Sequence, residues 1–270
     1  MSLITSECNP VHDWTIEYDD LNDRSYDVDM DDQTITIHNF GLSDARLMES
    51  QYFRVQADLA LIEAQSIATR LKWLGASLHD YHPEMIMILG RIMMADAQVQ
   101  KIAYAYHEKC EGRDRMWKHL LCSDVMDLAK IYDQSLSYFQ NNQQDDEVII
   151  RHAMASVFHS WFLDHQRIET CDYDTLSFMD DMLDDDVVFG SQKPTLNDVT
   201  CLTPNMQDER SYLDRELQKD ILKNPFYHDV KNDIHKTYLT QIITDNGKMF
   251  VNGIGFSDFG LAQRFFVMDN

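Results

Sequence analysis

HPEMIMILGRIMMADAQVQKIAYAYHEKC, residues 82–110, decides the architecture. Pro83 suits the first turn of a helix, where its missing N–H costs nothing. From there Ile88, Ile92, Ala95, Val99, Ile102 and Tyr106 recur at alternating spacings of four and three, the pattern of one buried helical face. Asp96 lies on the edge of that stripe, one turn from Ile92, Val99 and Ala103. The spacing predicts a helix from Pro83 to about Cys110.

The preceding segment is also helical. Ser50 can cap a helix running to Leu74, with Gly75 as its stop. Its middle, LALIEAQSIATRL at 59–71, is apolar or small almost throughout and carries a lone acid, Glu63, in its first half. A zinc-peptidase helix would place histidines on either side of such a glutamate; here Ile62 precedes it and Ser66 follows. Further back, TITIH at 34–38 alternates β-branched residues and reads as a short strand. Residues 13–32 hold nine acids against Arg24 alone, so a solvated acidic lead-in is expected there.

After residue 110, a third helix fits 114–139, with Trp117, Leu120, Leu121, Leu128, Ile131 and Tyr132 inward. The polar QNNQQDD separates it from a fourth at about 146–163, where Ile149, Ala153, Val157 and Trp161 share a face. Residues 164–204 are acidic and then irregular, with Gly190, Pro194 and Pro204, and read as a long surface connection. Helices at 206–223 and 229–243, separated by Pro225, should follow, and NGKMFVNGIGF suits a hairpin or docked loop. The expected divisions are an acidic segment at 1–32, a helical domain at 33–186 and a helical extension at 187–270.

The totals narrow the function classes. A hydrophobic content of 44% suits a folded chain, and 46 acidic against 23 basic residues give a net charge of −23. Such a charge repels nucleic-acid backbones and anionic membranes, so a charged partner should be basic, or the charge serves solubility. MSLITSECNP lacks the basic and apolar regions of a secretory signal, and no run of 18 apolar residues occurs, so a cytoplasmic location without membrane insertion is expected. Cys8, Cys110, Cys122, Cys171 and Cys201 are scattered without C-x-x-C, which favours reduced thiols over a disulfide framework or thiolate zinc site.

Metal motifs are incomplete. Asp27, Asp29 and Asp31 begin like a calcium loop, but Asp32 stands at the glycine position and His38 at that of the final glutamate. His79 and His82 are three apart before Pro83 and Glu84; His228 and His235 are seven apart and still need a third ligand. His119 with Cys122, and His152 with His159, share helix faces without a supporting carboxylate. Nucleophile elbows, P-loops and dinucleotide-binding glycine patterns do not occur.

The order of TITIHNF, LMESQYFRVQADLALIEAQS, HPEMIMILGRIMMADAQVQKIAYAYHEKCEG and VFHSWFLDHQRIETCDYDTLSF resembles a family described as bacterial zinc metallopeptidases, over about residues 26–183. In that family a strand leads to a helix bearing H-E-L-R-H, a second helix bears E-A-D-A, and a later helical region ends in W-F, an arginine and a Y-D-x-D-T-L-like segment. Set against these motifs, IEAQS at 62–66 places Ile62 and Ser66 at the zinc histidines and leaves Glu63 at the general base. MADA at 94–97 places Met94 at the third ligand and retains Asp96.

The resemblance implies a mainly α (α+β) fold with a degenerate zincin-like helical core, a short N-terminal strand element and a helical C-terminal extension. It implies a vestigial site of Ile62, Glu63, Ser66, Met94 and Asp96 that holds no cofactor or catalytic metal. The leading expectation is a catalytically inactive, metallopeptidase-like binding or scaffold subunit with a protein partner. Two alternatives remain: a metal-dependent hydrolase with ligands rebuilt from His79, His82 or the His228 and His235 pair, and an acidic nucleic-acid mimic that occupies a basic protein. A binding role predicts an exposed aromatic- or Met-rich patch, for which GFSDFGLAQRFFVMDN at 255–270 is the candidate.

Overall fold

Helices dominate the computed structural model, which describes residues 13–22, 24–74, 77–140, 145–204, 210–248, 250–251 and 254–255. The fold is mainly α with a small sheet, as expected. The candidate patch at 255–270 lies outside the described residues except for the backbone of Gly255. Two compact units divide the chain: one comprises residues 1–75, 93–163 and 200–215, the other 76–92, 164–199 and 216–270.

In the first unit β1 (Thr15–Asp19), β2 (Tyr26–Asp29) and β3 (Thr34–His38) form a sheet in the order β1-β3-β2, with β1 parallel and β2 antiparallel to β3. The expected acidic lead-in is thus two edge strands. Their period of two, in TIEYD and YDVD, sends acids to water while Ile35 and Ile37 of the central strand are fully buried. Acids along exposed edges also deter pairing with other chains.

A short helix, α1 (Asp44–Glu49), precedes α2 (Gln51–Leu74), which covers the sheet. Ala57, Ala60, Ala64 and Ala68 form a small-residue face that packs with Trp14, Ile35, Ile37 and Leu47. Alanine at three- and four-residue spacing keeps helix propensity high while letting the helix axis approach the strands. The helix α3 (Pro83–Cys110) has the predicted ends; its portion from Met93 belongs to this unit.

The third predicted helix is broken into α4 (Arg115–Leu120) and α5 (Met126–Gln140). Ser123 explains the break: its hydroxyl donates to the Leu120 carbonyl at 2.9 Å and accepts from the Val125 N–H at 3.3 Å, local bonds that replace the helical ladder. After it, α6 (Asp146–Trp161) begins where predicted, with the Asp145 carboxylate accepting from the Glu147 N–H. It packs along α5.

In the second unit, the expected surface connection contains a twenty-residue helix, α7 (His165–Asp184), capped by Asp164. Ile168, Cys171, Leu176 and Met179 form its buried stripe; the aspartates that suggested a loop lie mostly on its outer face. The irregular tract then becomes α8 (Leu196–Leu202), whose last residues belong to the first unit. Farther on come α9 (Arg215–Ile221), α10 (Pro225–His228) and α11 (Asp233–Lys248). Pro225 starts a helix rather than merely separating two, because Asn224 caps it and proline suits the first turn. In the stretch read as a hairpin or docked loop, β4 (Phe250–Val251) and β5 (Ile254–Gly255) pair antiparallel.

Arg91, 1% exposed, pins this second unit. Its guanidinium donates to both oxygens of Asp172 at 2.7 and 2.8 Å, and to the carbonyls of Tyr227 and Asp229 at 2.8 and 3.3 Å. Every bond is charge-assisted, which offsets the cost of taking a guanidinium out of water. Close backbone pairing adds a second constraint: Gly190 N–H donates to His79 O at 2.7 Å, and a Cβ at Gly190 would collide with the Asp80 carbonyl oxygen. Beside it, the buried Asn246 amide bonds both the N–H and the carbonyl of Phe189.

Candidate functional site

The residues singled out around Glu63 and Asp96 gather in the first unit, where α2 and the second half of α3 exchange long polar side chains. Glu63 is 7% exposed. Its Oε2 accepts from Lys101 Nζ at 2.7 Å, and its Oε1 accepts from Gln98 Nε2 at 2.7 Å and more weakly from the Tyr26 hydroxyl at 3.4 Å. Met94 belongs to the same cluster, its Sδ 3.8 Å from that hydroxyl. Tyr26 comes from β2, so the acid-rich strand supplies a lid residue for the carboxylate.

Asp96 is fully buried. Its Oδ2 accepts from Arg70 Nε at 2.8 Å and from Ser66 Oγ at 3.4 Å, while its Oδ1 accepts from Gln100 Nε2 at 3.0 Å. Gln100 also donates to the Pro204 carbonyl at 3.0 Å, tying the chain after α8 to this cluster. Tyr212, from the same 200–215 stretch, brings its buried hydroxyl up to the carboxylate. Burial pushes the Asp96 carboxyl above the usual carboxylate range, against the opposing pull of Arg70 and Gln100. Burial likewise raises the Tyr212 phenol far above its ordinary value, and the neighbouring carboxylate adds to it.

Glu63, Ser66 and Arg70 follow one another at three- and four-residue spacing, so one face of α2 carries them all. Arg70 is therefore legible as a facial neighbour of Glu63. Lys101 and Gln98 are not, because their meeting with Glu63 depends on how α3 runs past α2. Arg91, earlier on α3, is committed to Asp172, and Lys101 supplies the charge that meets Glu63.

Ile62 is half-buried and offers no donor atom. The atoms gathered here are a thioether, a serine hydroxyl held by Asp96, and two carboxylates already bonded to cations. Zinc prefers imidazole, thiolate and free carboxylate in a tetrahedral set. The residues present do not fit that ion.

The other metal candidates also disperse. His79 Nδ1 bonds Ser77 Oγ at 2.8 Å, His82 faces Glu84 at 3.7 Å, and the His228 ring bonds the Ile221 carbonyl. The buried Nδ1 of His235 has no hydrogen-bond partner among the described residues. Among the described residues, no three His, Cys, Asp or Glu side chains group so as to hold a metal ion. At the calcium-like stretch, Asp29 Oδ1 instead accepts from the N–H groups of Asp31 and Asp32 at 2.9 and 2.8 Å, fastening the turn between β2 and β3.

Residues 76–199 match the model of a family described as "Putative metallopeptidase family (DUF6782)". The matched stretch contains Met94, Asp96 and Lys101 and begins after the end of α2, so Ile62, Glu63 and Ser66 precede it. No curated protein and no solved structure matches the chain. Among the described residues, no helix is long and apolar enough to cross a membrane.

Proposed function

We propose that this chain is a metallopeptidase-like protein without peptidase activity, which serves in the cytoplasm as a binding or scaffold subunit for a protein partner with a basic surface. One observation carries the reading: Glu63, which the sequence resemblance sets at the place of a zincin general base, is held by Lys101 and Gln98. In a zincin that carboxylate must accept a proton from metal-bound water. Here an ammonium group engages one oxygen and an amide the other, so both oxygens are already hydrogen-bonded within the chain.

The second carboxylate supports the same reading. Asp96 is paired with Arg70, so each acid in the cluster has a cation supplied by the chain itself. Side-chain cations thus stand where the family resemblance would have a metal ion supply positive charge. The chain's charge of −23 supports a basic partner over an acidic one.

Metal analysis of protein purified with zinc in excess, together with a peptide-hydrolysis assay, tests the proposal. The expected result is substoichiometric zinc and no turnover above solvent. Stoichiometric zinc lost on substitution of Glu63 or Asp96 would overturn it, as would hydrolysis abolished by Glu63→Gln.

A further inference from the structure

Within the second unit, one face of α11 is exposed beside α7 among the described residues. Ile234 is 76% exposed, and with Asp233, Thr237, Tyr238 and Gln241 it lines an open, mainly apolar groove of about 440 Å³. Those positions recur every helical turn, so the groove runs along the helix. Tyr238 marks its α7 side: its hydroxyl donates to Asp180 Oδ2 at 2.7 Å. Burial and the carboxylates of Asp180 and Asp181 raise that phenol to about 12, which keeps it a donor throughout the physiological range. Tyr173, 58% exposed, extends the apolar surface along α7 and faces the His235 ring at 6.3 Å.

Acids predominate on the α7 side of this groove. Between Ile168 and the end of α7 the sequence holds acids and no lysine or arginine. On α11 the two lysines are already engaged, Lys236 with Asp233 and Lys248 with Asp245. An occupant therefore meets an apolar floor along the first half of α11 and an anionic rim on α7. A ridge of side chains at helical spacing fits a groove formed along a helix, and a rim of aspartates selects lysine and arginine beside that ridge.

We infer that the α7–α11 groove of the second unit receives a basic amphipathic helix from a partner protein, with apolar residues on Ile234 and Tyr173 and cations on Asp180 and Asp181. The inference deepens the binding-subunit reading and rests on it. The two fail separately, because zinc binding or hydrolysis would break that reading without changing affinity at this groove.

Fluorescence anisotropy on the full chain tests it, with a labelled amphipathic helical peptide made only of leucine and lysine, and its leucine–glutamate counterpart. The expected result is saturable binding of the basic peptide that weakens with salt, and little binding of the acidic one. Ile234→Ser and Asp181→Lys should each weaken binding by about tenfold, and Tyr138→Ser, an exposed aromatic of the first unit, should leave it unchanged. Circular dichroism confirms that each variant folds. Equal affinity of all variants would overturn the inference, as would equal binding of both peptides. A dimer in sedimentation that Ile234→Ser dissociates would also overturn it, by making a second copy the occupant.

Discussion

Two ion pairs cross from α2 to α3 in the first unit, and they differ in how much water reaches them. Asp96 and Arg70 have side chains 0% and 7% exposed, whereas Glu63 and Lys101 keep 10% and 12%. The first pair combines a guanidinium with Ser66 and Gln100 bonds and a neighbouring buried phenol. The second uses an ammonium group, an amide and one long phenol bond. Sealed charges depend on complete pairing, because an orphaned one cannot recover its hydration. A pair at the edge of solvent can lose a partner and be partly rescued by water. The difference assigns a structural role to Asp96 and leaves Glu63, the residue that looks catalytic in sequence, as the more adjustable of the two.

Arg70→Met should therefore cause the largest loss, about 3–5 kcal/mol in urea unfolding. Its pH dependence has a definite sign. Burial already raises the Asp96 carboxyl, and removing the guanidinium removes an opposing influence. A carboxyl whose folded pKa exceeds its unfolded one adds stability that is present below the unfolded value and is lost as pH rises through the folded one. The variant's deficit should then be smallest in acid and grow toward neutrality. A deficit independent of pH would show that Asp96 is not the sealed charge described.

Lys101→Met should cost less, about 1–3 kcal/mol, since Glu63 retains Gln98 and some access to water. A loss equal to that of Arg70→Met would erase the contrast between the pairs. The same variant has a second readout at His119 on α4. That imidazole is held below its ordinary value by burial, with the Lys101 charge adding to the effect. Lys101→Met should raise it in an NMR titration, and an unmoved His119 would show that the ammonium charge does not extend beyond Glu63. For His119 itself, the lowered value means stability present above about pH 6.5 and lost as pH falls through the folded pKa. His119→Asn should flatten that acid-side slope. Tyr26→Phe should be the mildest change, about 0.5 kcal/mol, because its bond to Glu63 is long, at 3.4 Å.

Much of the fold was legible because helix periodicity survives in a single sequence. The ends of α3 and α6 followed from Pro83 and from the polar run before Asp146, and the stripe from Ile88 to Tyr106 gave the buried face of α3. The acid-rich stretches misled for one reason. Net charge hid the period of two in YDVD and the single buried face of Ile168, Cys171, Leu176 and Met179 in α7. A helix or strand needs only one apolar face, so the opposite face can be entirely acidic without weakening the element.

Composition and periodicity by themselves determined the mainly helical fold, the strong negative charge, and the placement of Glu63, Ser66 and Asp96 on helices. They also determined that Glu63 and Arg70 share a face, because spacing along a helix is fixed by its geometry. Only the tertiary structure decided what each charge meets: Lys101 for Glu63, Arg70 for Asp96, and Asp172 for Arg91. The reason is physical. Burial forces every ionised group to find a partner, but which partner lies within hydrogen-bond reach depends on how separate elements pack, and side-chain spacing along one helix does not specify that.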